Sequence, residues 1–299
     1  MRKWSRRFIS IGLLFTLCIG LFGCHSKKIT VLVPIGSPQY ATAYLEHSND
    51  YEITTVSGAE ALTAAFNDIG FDIILAPINL GAKMYSAKHN YQLSAVITWG
   101  NYYLIHENPI DLSVIDHMEI TAFGENQVPD FLLSFLLDYY EIEATMTYLD
   151  SVASITSAYL LDSSKIYLIA EPSLSILQTK KSLQYLDLQV EYESITGDDG
   201  FPQAGVFVNN QVSDDDLEAF IQALDKSISN LKDGDDVLEI LQSVGIELPE
   251  AVYQDAITRS HIDFVDITTA KSAVITFLEL IYDFNPNFIG ALPDDSFYR

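Results

Sequence analysis

The sequence predicts an α/β fold with mostly parallel sheets, and three observations predict it. Short apolar runs rich in β-branched residues recur, segments of helical spacing lie between them, and brief turns of Gly, Ser or Pro join the two. Alternation of this kind builds right-handed strand–helix–strand units. Residues 29–34 (ITVLVP) predict the first strand, Gly36-Ser37-Pro38 breaks it, and residues 39–46 carry helical spacing. Residues 51–56 predict a second strand closed by Ser57-Gly58, with a helix rich in Ala and Leu over 59–67. Residues 71–76 (FDIILA) predict a third, closed by 77–81 and followed by a helix over 82–88.

The series then restarts. Residues 93–99 and 102–106 are strand-like around Gly100-Asn101, and 119–123 (EITAF) opens a new unit that ends at Gly124. Residues 129–140 predict a helix, with Pro129 in its first turn, Asp130 near its start, and apolar side chains at 131, 132, 135 and 136. Strands are predicted over 146–149 and 165–170 with a helix over 152–161 between them, and Glu171-Pro172 starts another helix. Residues 204–208 (AGVFV) read as the last strand. Beyond it the spacing is helical over 214–231, 235–243, 250–260 and 268–284.

Composition narrows the functions. The chain has 299 residues, 48% of them hydrophobic and 12% aromatic, enough apolar material for a sizeable core and far from a disordered chain. Its length allows one large domain or two lobes. A formal charge of −25 excludes nucleic acid as a partner, because phosphate contacts need a cationic face. It excludes attraction to anionic lipid for the same reason.

The N-terminus has its own pattern. Arg2, Lys3, Arg6 and Arg7 precede an apolar stretch over 8–22, shorter than the roughly 20 residues of a membrane-spanning helix, so it reads as a signal peptide over 1–23. The stretch ends Leu21-Phe22-Gly23-Cys24, which resembles the lipobox of bacterial lipoproteins, where the cysteine thiol receives a diacylglycerol. An ordinary secretory signal with a chance cysteine is the alternative. Cleavage before Cys24 removes Cys18 as well, leaving one thiol and no intrachain disulfide in an oxidising compartment. Residues 24–28 are then a short lipid-anchored tether.

Catalytic and metal signatures are absent from the sequence. It has no G-x-x-x-x-G-K loop, H-E-x-x-H, G-x-S-x-G or C-x-x-C, so no catalytic residue, cofactor or metal ligand is expected. The six histidines include no pair at the i, i+4 spacing that places two imidazoles on one helix face. The acidic runs 214–216 and 233–236 lack the alternating ligands of a calcium loop and read as helix starts with a favourable dipole.

Seven segments together carry a resemblance: ITVLVPIGSPQYATAYL, DIILAPINLGAKMY, ITWGNYYLI, FGENQVPDFLLSFLL, IAEPSLSIL, PQAGVFVN and the ending NPNFIGALPDDSFYR. With the lipobox, their order and spacing resemble the solute-binding lipoproteins of ABC importers, in the group that includes binding proteins for nitrate, sulfonates and thiamine precursors. The resemblance covers essentially all of the chain after the signal. It implies a two-lobed periplasmic-binding-protein-like type 2 fold with two hinge crossings. It also implies a lipid anchor on the extracytoplasmic face of the cell membrane, an ABC permease as partner, and no enzymatic activity. The crossings are expected near 106–111 and 201–203, which makes 29–108 with 204–299 lobe 1 and 109–203 lobe 2.

Ligands of open α/β sheets sit at the carboxyl ends of the strands, so the strand-to-helix turns supply the candidate contacts. In lobe 1 these are Gly36, Ser37, Gln39, Ser57, Gly58, Asn79, Trp99 and Asn101, and in lobe 2 Glu125, Asn126, Gln127 and Glu171, with Ser151 and Gln203 as weaker candidates. Each has a structural alternative: the serines as helix caps, Gly58 as a turn, Trp99 as core. None of the Lys and Arg after the signal falls in these turns, with Lys83 the nearest, whereas Glu60, Glu125 and Glu171 lie close. The expected solute is therefore a small organic molecule, neutral or cationic, with a flat ring for Trp99 or Tyr40 to cover. An anion held by helix N-termini stays open. So do two other classes on this fold: a surface sensor or partner-binding lipoprotein without transport, and an enzyme, against which the signal peptide argues.

Overall fold

The computed structural model describes residues 27–198 and 200–299. The signal segment and Cys24 lie outside the described residues. The first units follow the expected rhythm: β1 (Ile29–Pro34), α1 (Ser37–Ala41), β2 (Tyr51–Val56), α2 (Ala59–Asp68), β3 (Ile73–Pro77), α3 (Ile78–Lys88) and β4 (Tyr91–Thr98). The chain then builds β5 (Tyr102–His106), β6 (Glu119–Phe123), α4 (Val128–Tyr139), β7 (Thr145–Leu149), α5 (Val152–Leu161), β8 (Ile166–Ala170), α6 (Ser173–Gln178), β9 (Gln184–Asp187) and α7 (Leu188–Thr196). It closes with β10 (Ala204–Asn209), α8 (Asp214–Asp233), α9 (Val237–Ser243), α10 (Tyr253–Arg259), β11 (Ile262–Asp266) and α11 (Ile267–Phe284).

Two sheets result, a six-stranded one in the order β11-β4-β10-β3-β1-β2 and a five-stranded one in the order β7-β6-β8-β5-β9. Both are mixed, which corrects the expectation of mostly parallel sheets. Strand β1 pairs in parallel with β2 and β3, but β10 runs antiparallel between β3 and β4, and β11 antiparallel to β4. The reason is the path of the chain. It leaves the first sheet at the carboxyl end of β4 and returns at that same end, so β10 must re-enter against β3 and β4. In the second sheet β6 pairs in parallel with β7 and β8, while β5 enters reversed between β8 and β9.

The same pairing moves the first crossing. Strands β4 and β5 look like neighbours around Gly100-Asn101, yet β4 pairs with β10 and β11, and β5 with β8 and β9. The chain therefore passes between sheets at 99–101, ahead of the expected 106–111, and comes back at 201–203 on its way into β10. Further differences are local. The segment after β1 is helical only over Ser37–Ala41 and continues as turns, and α3 starts at Ile78 rather than 82. Strand β11 (IDFVD) interrupts the helical tail, as an edge strand half polar in sequence.

Both crossings are gripped by one side chain. Gly100 and Gly200 have φ of 94° and 112°, and a Cβ on either would stand 2.2 Å and 1.7 Å from the Gln189 amide. Only glycine lets the backbone pass this close in that conformation. Gln189 is buried and its Oε1 accepts from the Phe201 N–H at 3.3 Å. The lobes also share a core. Phe277 on α11 stacks with Phe201 at 5.7 Å and meets Phe131 of α4 and Tyr192 of α7 edge-on, so one continuous apolar cluster runs from the first lobe into the second. Among the described residues no helix is long and apolar enough to cross a membrane.

Candidate functional site

Between the two sheets, where the carboxyl ends of β1, β3, β6 and β8 converge, lies a cleft of about 650 Å³. Its first wall is the turn after β1, where Gly36 takes φ 118° and Pro38 sits in the first turn of α1, together with Asn79 and Lys83 on α3. Asn126 and Gln127, in the turn after β6, and Glu171 after β8 form the facing wall. Tyr102, Phe123 and Phe288 supply ring surface.

Asn101, in the first crossing, joins these parts. It is 6% exposed, so its amide must be satisfied by protein or ligand. Its Nδ2 donates to Ser37 Oγ at 3.0 Å, its Oδ1 accepts from Gln203 Nε2 at 2.9 Å, and its carbonyl accepts from the Glu171 N–H at 3.2 Å. One residue thereby links the first lobe's turn, the second lobe's turn and both crossings. Three oxygens of lining residues, Asn79 Oδ1, Thr98 Oγ1 and Gln203 Oε1, are buried without a hydrogen-bond partner.

The facing turn is organised by Asp130. Asn126 is left-handed at φ 57°, a conformation asparagine tolerates, and its N–H donates to Asp130 Oδ2 at 2.8 Å. Tyr148 donates to the other oxygen at 2.6 Å. The sequence marks Asp130 only as an acidic residue near a helix start; its contact with Tyr148 depends on the parallel pairing of β6 and β7.

Glu171 lines the cleft but its charge is engaged elsewhere. Its side chain is fully buried, and Oε1 accepts from Arg259 Nε at 2.7 Å and from Ser175 Oγ at 2.8 Å. Arg259 also donates to Ser175 and to Gln178 through Nη2, at 2.7 and 2.8 Å. Arg259 belongs to α10 of the first lobe and its partners to the second, so this is a buried ionic contact across the lobes. Burial pushes the Glu171 carboxyl above the ordinary glutamate range against the pull of Arg259 and Ser175. Burial is the largest single influence on the Arg259 guanidinium and works against its charge, but the hydrogen bond to Glu171 and the charges of Glu171 and Asp255 together with Tyr185 outweigh it and raise its pKa.

Of the residues read from the sequence, Gly36, Ser37, Asn79, Asn101, Asn126, Gln127, Glu171 and Gln203 are brought together around the cleft. Gln39, Ser57, Gly58, Trp99 and Glu125 are not among its lining residues. Gln39 is buried, with its amide 3.5 Å from the Val244 carbonyl. Ser57, Gly58 and Glu125 are exposed. Trp99 donates from Nε1 to the Asp263 carbonyl at 3.2 Å and lines a different groove. Tyr40 is core, and Ser151 caps α5 by accepting from the Ser154 N–H. Phe288, Asn285 and Asn287, from the ending NPNFIGALPDDSFYR, also line the cleft, although they follow no strand and so are not among the strand-to-helix turns. Among the described residues no group of three or more His, Cys, Asp or Glu is placed to hold a metal.

Solved structures share this architecture. An ABC transporter protein from Parabacteroides distasonis superposes with a TM-score of 0.81 at 26% identity, over 91% of this chain and 98% of that one. The periplasmic aliphatic sulphonate binding protein of Escherichia coli gives 0.68 at 13% identity, over 89% and 90%. A putative nitrate transport protein from Thermoplasma volcanium gives 0.57 at 15%, over 87% and 94%. These are proteins of the group that the sequence resembles, and the chain has their two-lobed α/β fold. No protein-family model matches the chain, and no curated protein matches it.

Proposed function

We propose that the protein is an extracytoplasmic solute-binding lipoprotein that captures a small organic molecule in the interlobe cleft and presents it to the permease of an ABC importer. The observation that carries this reading is the cleft itself: polar turns of both lobes face one another across two crossings, in a fold shared with transport binding proteins. Lobe 1 is the body around the first sheet and lobe 2 the body around the second. The lipid on Cys24 holds the domain at the membrane through a few residues. With Cys24→Ala, incorporation of radiolabelled fatty acid should be lost; label that still enters the variant contradicts the anchor.

The solute is neutral or cationic. Lys83 is the only cation among the described lining residues and is exposed, and Arg259, which is half-buried and reaches the lining residue Glu171, is held by that carboxylate. A buried anion ordinarily takes an Arg fork or several converging donors. Here the polar lining is mostly the amides of Asn79, Asn101, Asn126, Gln127 and Gln203, which both donate and accept. Tyr102, Phe123 and Phe288 take the ring-covering part that the sequence suggested for Trp99 or Tyr40. A thermal-shift panel of nitrate, sulfonates, pyrimidines, amines and flavins tests this. Stabilisation by a heterocycle or amine is expected, and stabilisation by the small anions alone contradicts it.

A further inference from the structure

One wall of the cleft carries polar groups that the protein leaves unanswered. Asn79 Oδ1, Thr98 Oγ1 and Gln203 Oε1 are buried without a hydrogen-bond partner, and all three residues line the cleft. They come from adjoining strand ends of the first sheet. Ala204 pairs across to Pro77 on one side and to Thr98 on the other. The Gln203 N–H donates to the Thr98 carbonyl at 2.8 Å, and the Ile78 N–H donates to the Gln203 carbonyl at 3.0 Å. Thr98 thus closes β4, Gln203 leads into β10, and Asn79 lies in the first turn of α3, just past β3.

The chemistry of this wall is selective. A buried polar oxygen is costly unless something donates to it. Asn101 Nδ2 is spent on Ser37 Oγ and Gln203 Nε2 on Asn101 Oδ1, which leaves Gln203 offering its oxygen. Amide oxygens accept and never donate, so an anion would set its own lone pairs against those of Asn79 and Gln203. A buried cation would lack a counter-charge. Lys83 and Glu171 are the charged residues of the described lining, and Glu171 is held by Arg259 at 2.7 Å. What answers acceptors without bringing charge is a neutral group rich in N–H.

We infer that Asn79, Thr98 and Gln203 form the subsite that selects the solute, and that it admits a neutral molecule presenting two or more N–H donors on one edge, as a primary amide or a urea does. This rests on the reading of the cleft as the solute site and narrows the chemistry of what enters it. A solute without those donors strands three oxygens as the cleft excludes water, whereas a matching one satisfies them. Tyr102, Phe123 and Phe288 then cover the rest of the molecule.

The test uses the small molecule that the full-length protein carries from its own host. It is released by denaturation, its exact mass and its deuterium uptake in D2O are read, and it is titrated back into unliganded wild type, Thr98→Val and Thr98→Ser. Valine keeps the branched shape of Thr98 without the hydroxyl, and serine keeps the hydroxyl. The molecule should contain nitrogen, be uncharged at pH 7 and exchange at least two hydrogens. Thr98→Val should bind it about tenfold more weakly, and Thr98→Ser close to the wild type. Unliganded Thr98→Val should melt no lower than the wild type, because the hydroxyl it loses has no partner in the fold. Asn79→Leu repeats the comparison if Thr98→Val does not fold. A charged molecule, one without N–H, equal affinity for wild type and Thr98→Val, or an unliganded Thr98→Val that melts lower overturns the inference and leaves the cleft as the solute site. A wild type that carries no small molecule contradicts the cleft as the solute site, and this inference with it.

Discussion

Arg259→Ala is expected to destabilise the protein by about 3–5 kcal/mol, the usual cost of leaving one partner of a buried ion pair unpaired. Glu171 is fully buried at its carboxylate and Arg259 only 16% exposed at its side chain, so solvent cannot take the missing partner's place. The guanidinium also satisfies Ser175 and Gln178, which lose their donor in the same step. Adding Glu171→Gln to the Arg259→Ala protein removes the stranded charge and should recover a large part of the loss. Urea unfolding of the two variants checks both statements. A loss below about 1 kcal/mol for Arg259→Ala, the range of surface pairs, would mean that this contact does not hold the lobes together.

Phe201→Ala should cost a similar amount, about 3–5 kcal/mol, as large aromatic truncations in cores do. Phe201 is wholly buried at the return crossing, stacked on Tyr102 at 5.8 Å and on Phe277 at 5.7 Å, with Tyr192 edge-on at 5.7 Å. The ring sits where the second crossing, α7, α11 and a cleft-lining tyrosine meet, so a cavity there loosens the relation between the lobes as well as the core. Phe201→Leu keeps much of the volume and should lose clearly less. Denaturant midpoints read against an unchanged m-value distinguish a weakened native state from a changed one; equal losses for the two variants would contradict the stacking argument.

What the sequence made legible was local. The turn Gly36-Ser37, the segment Asn126-Gln127 before Pro129, and Asn79 and Glu171 after β-branched runs all carry their placement within a few residues, and all reach the cleft. What it hid depends on long-range pairing. Asn285, Asn287 and Phe288 arrive from the far end of the chain, and the role of Gln189 follows from where the two crossings come to lie. Trp99 shows the limit most clearly: Thr98 and Asn101 line the cleft and Trp99 between them does not, because Gly100, at φ 94°, breaks the strict alternation that an extended segment would impose. Glu171 lines the cleft, while the ion pair with Arg259 that occupies its charge joins positions 88 residues apart. The mixed sheets belong with these, since the direction of β10 is decided by where the chain crosses and returns.

The central claim is that a small molecule occupies the interlobe cleft. Native mass spectrometry of the protein purified from its own host tests it most directly, with the bound mass compared between the wild type and Gln127→Trp, which places a bulky side chain in the cleft at an exposed position. A discrete small-molecule adduct on the wild type, absent from a folded Gln127→Trp protein, is the result expected. An adduct retained at full occupancy by Gln127→Trp would place the solute elsewhere and contradict the claim.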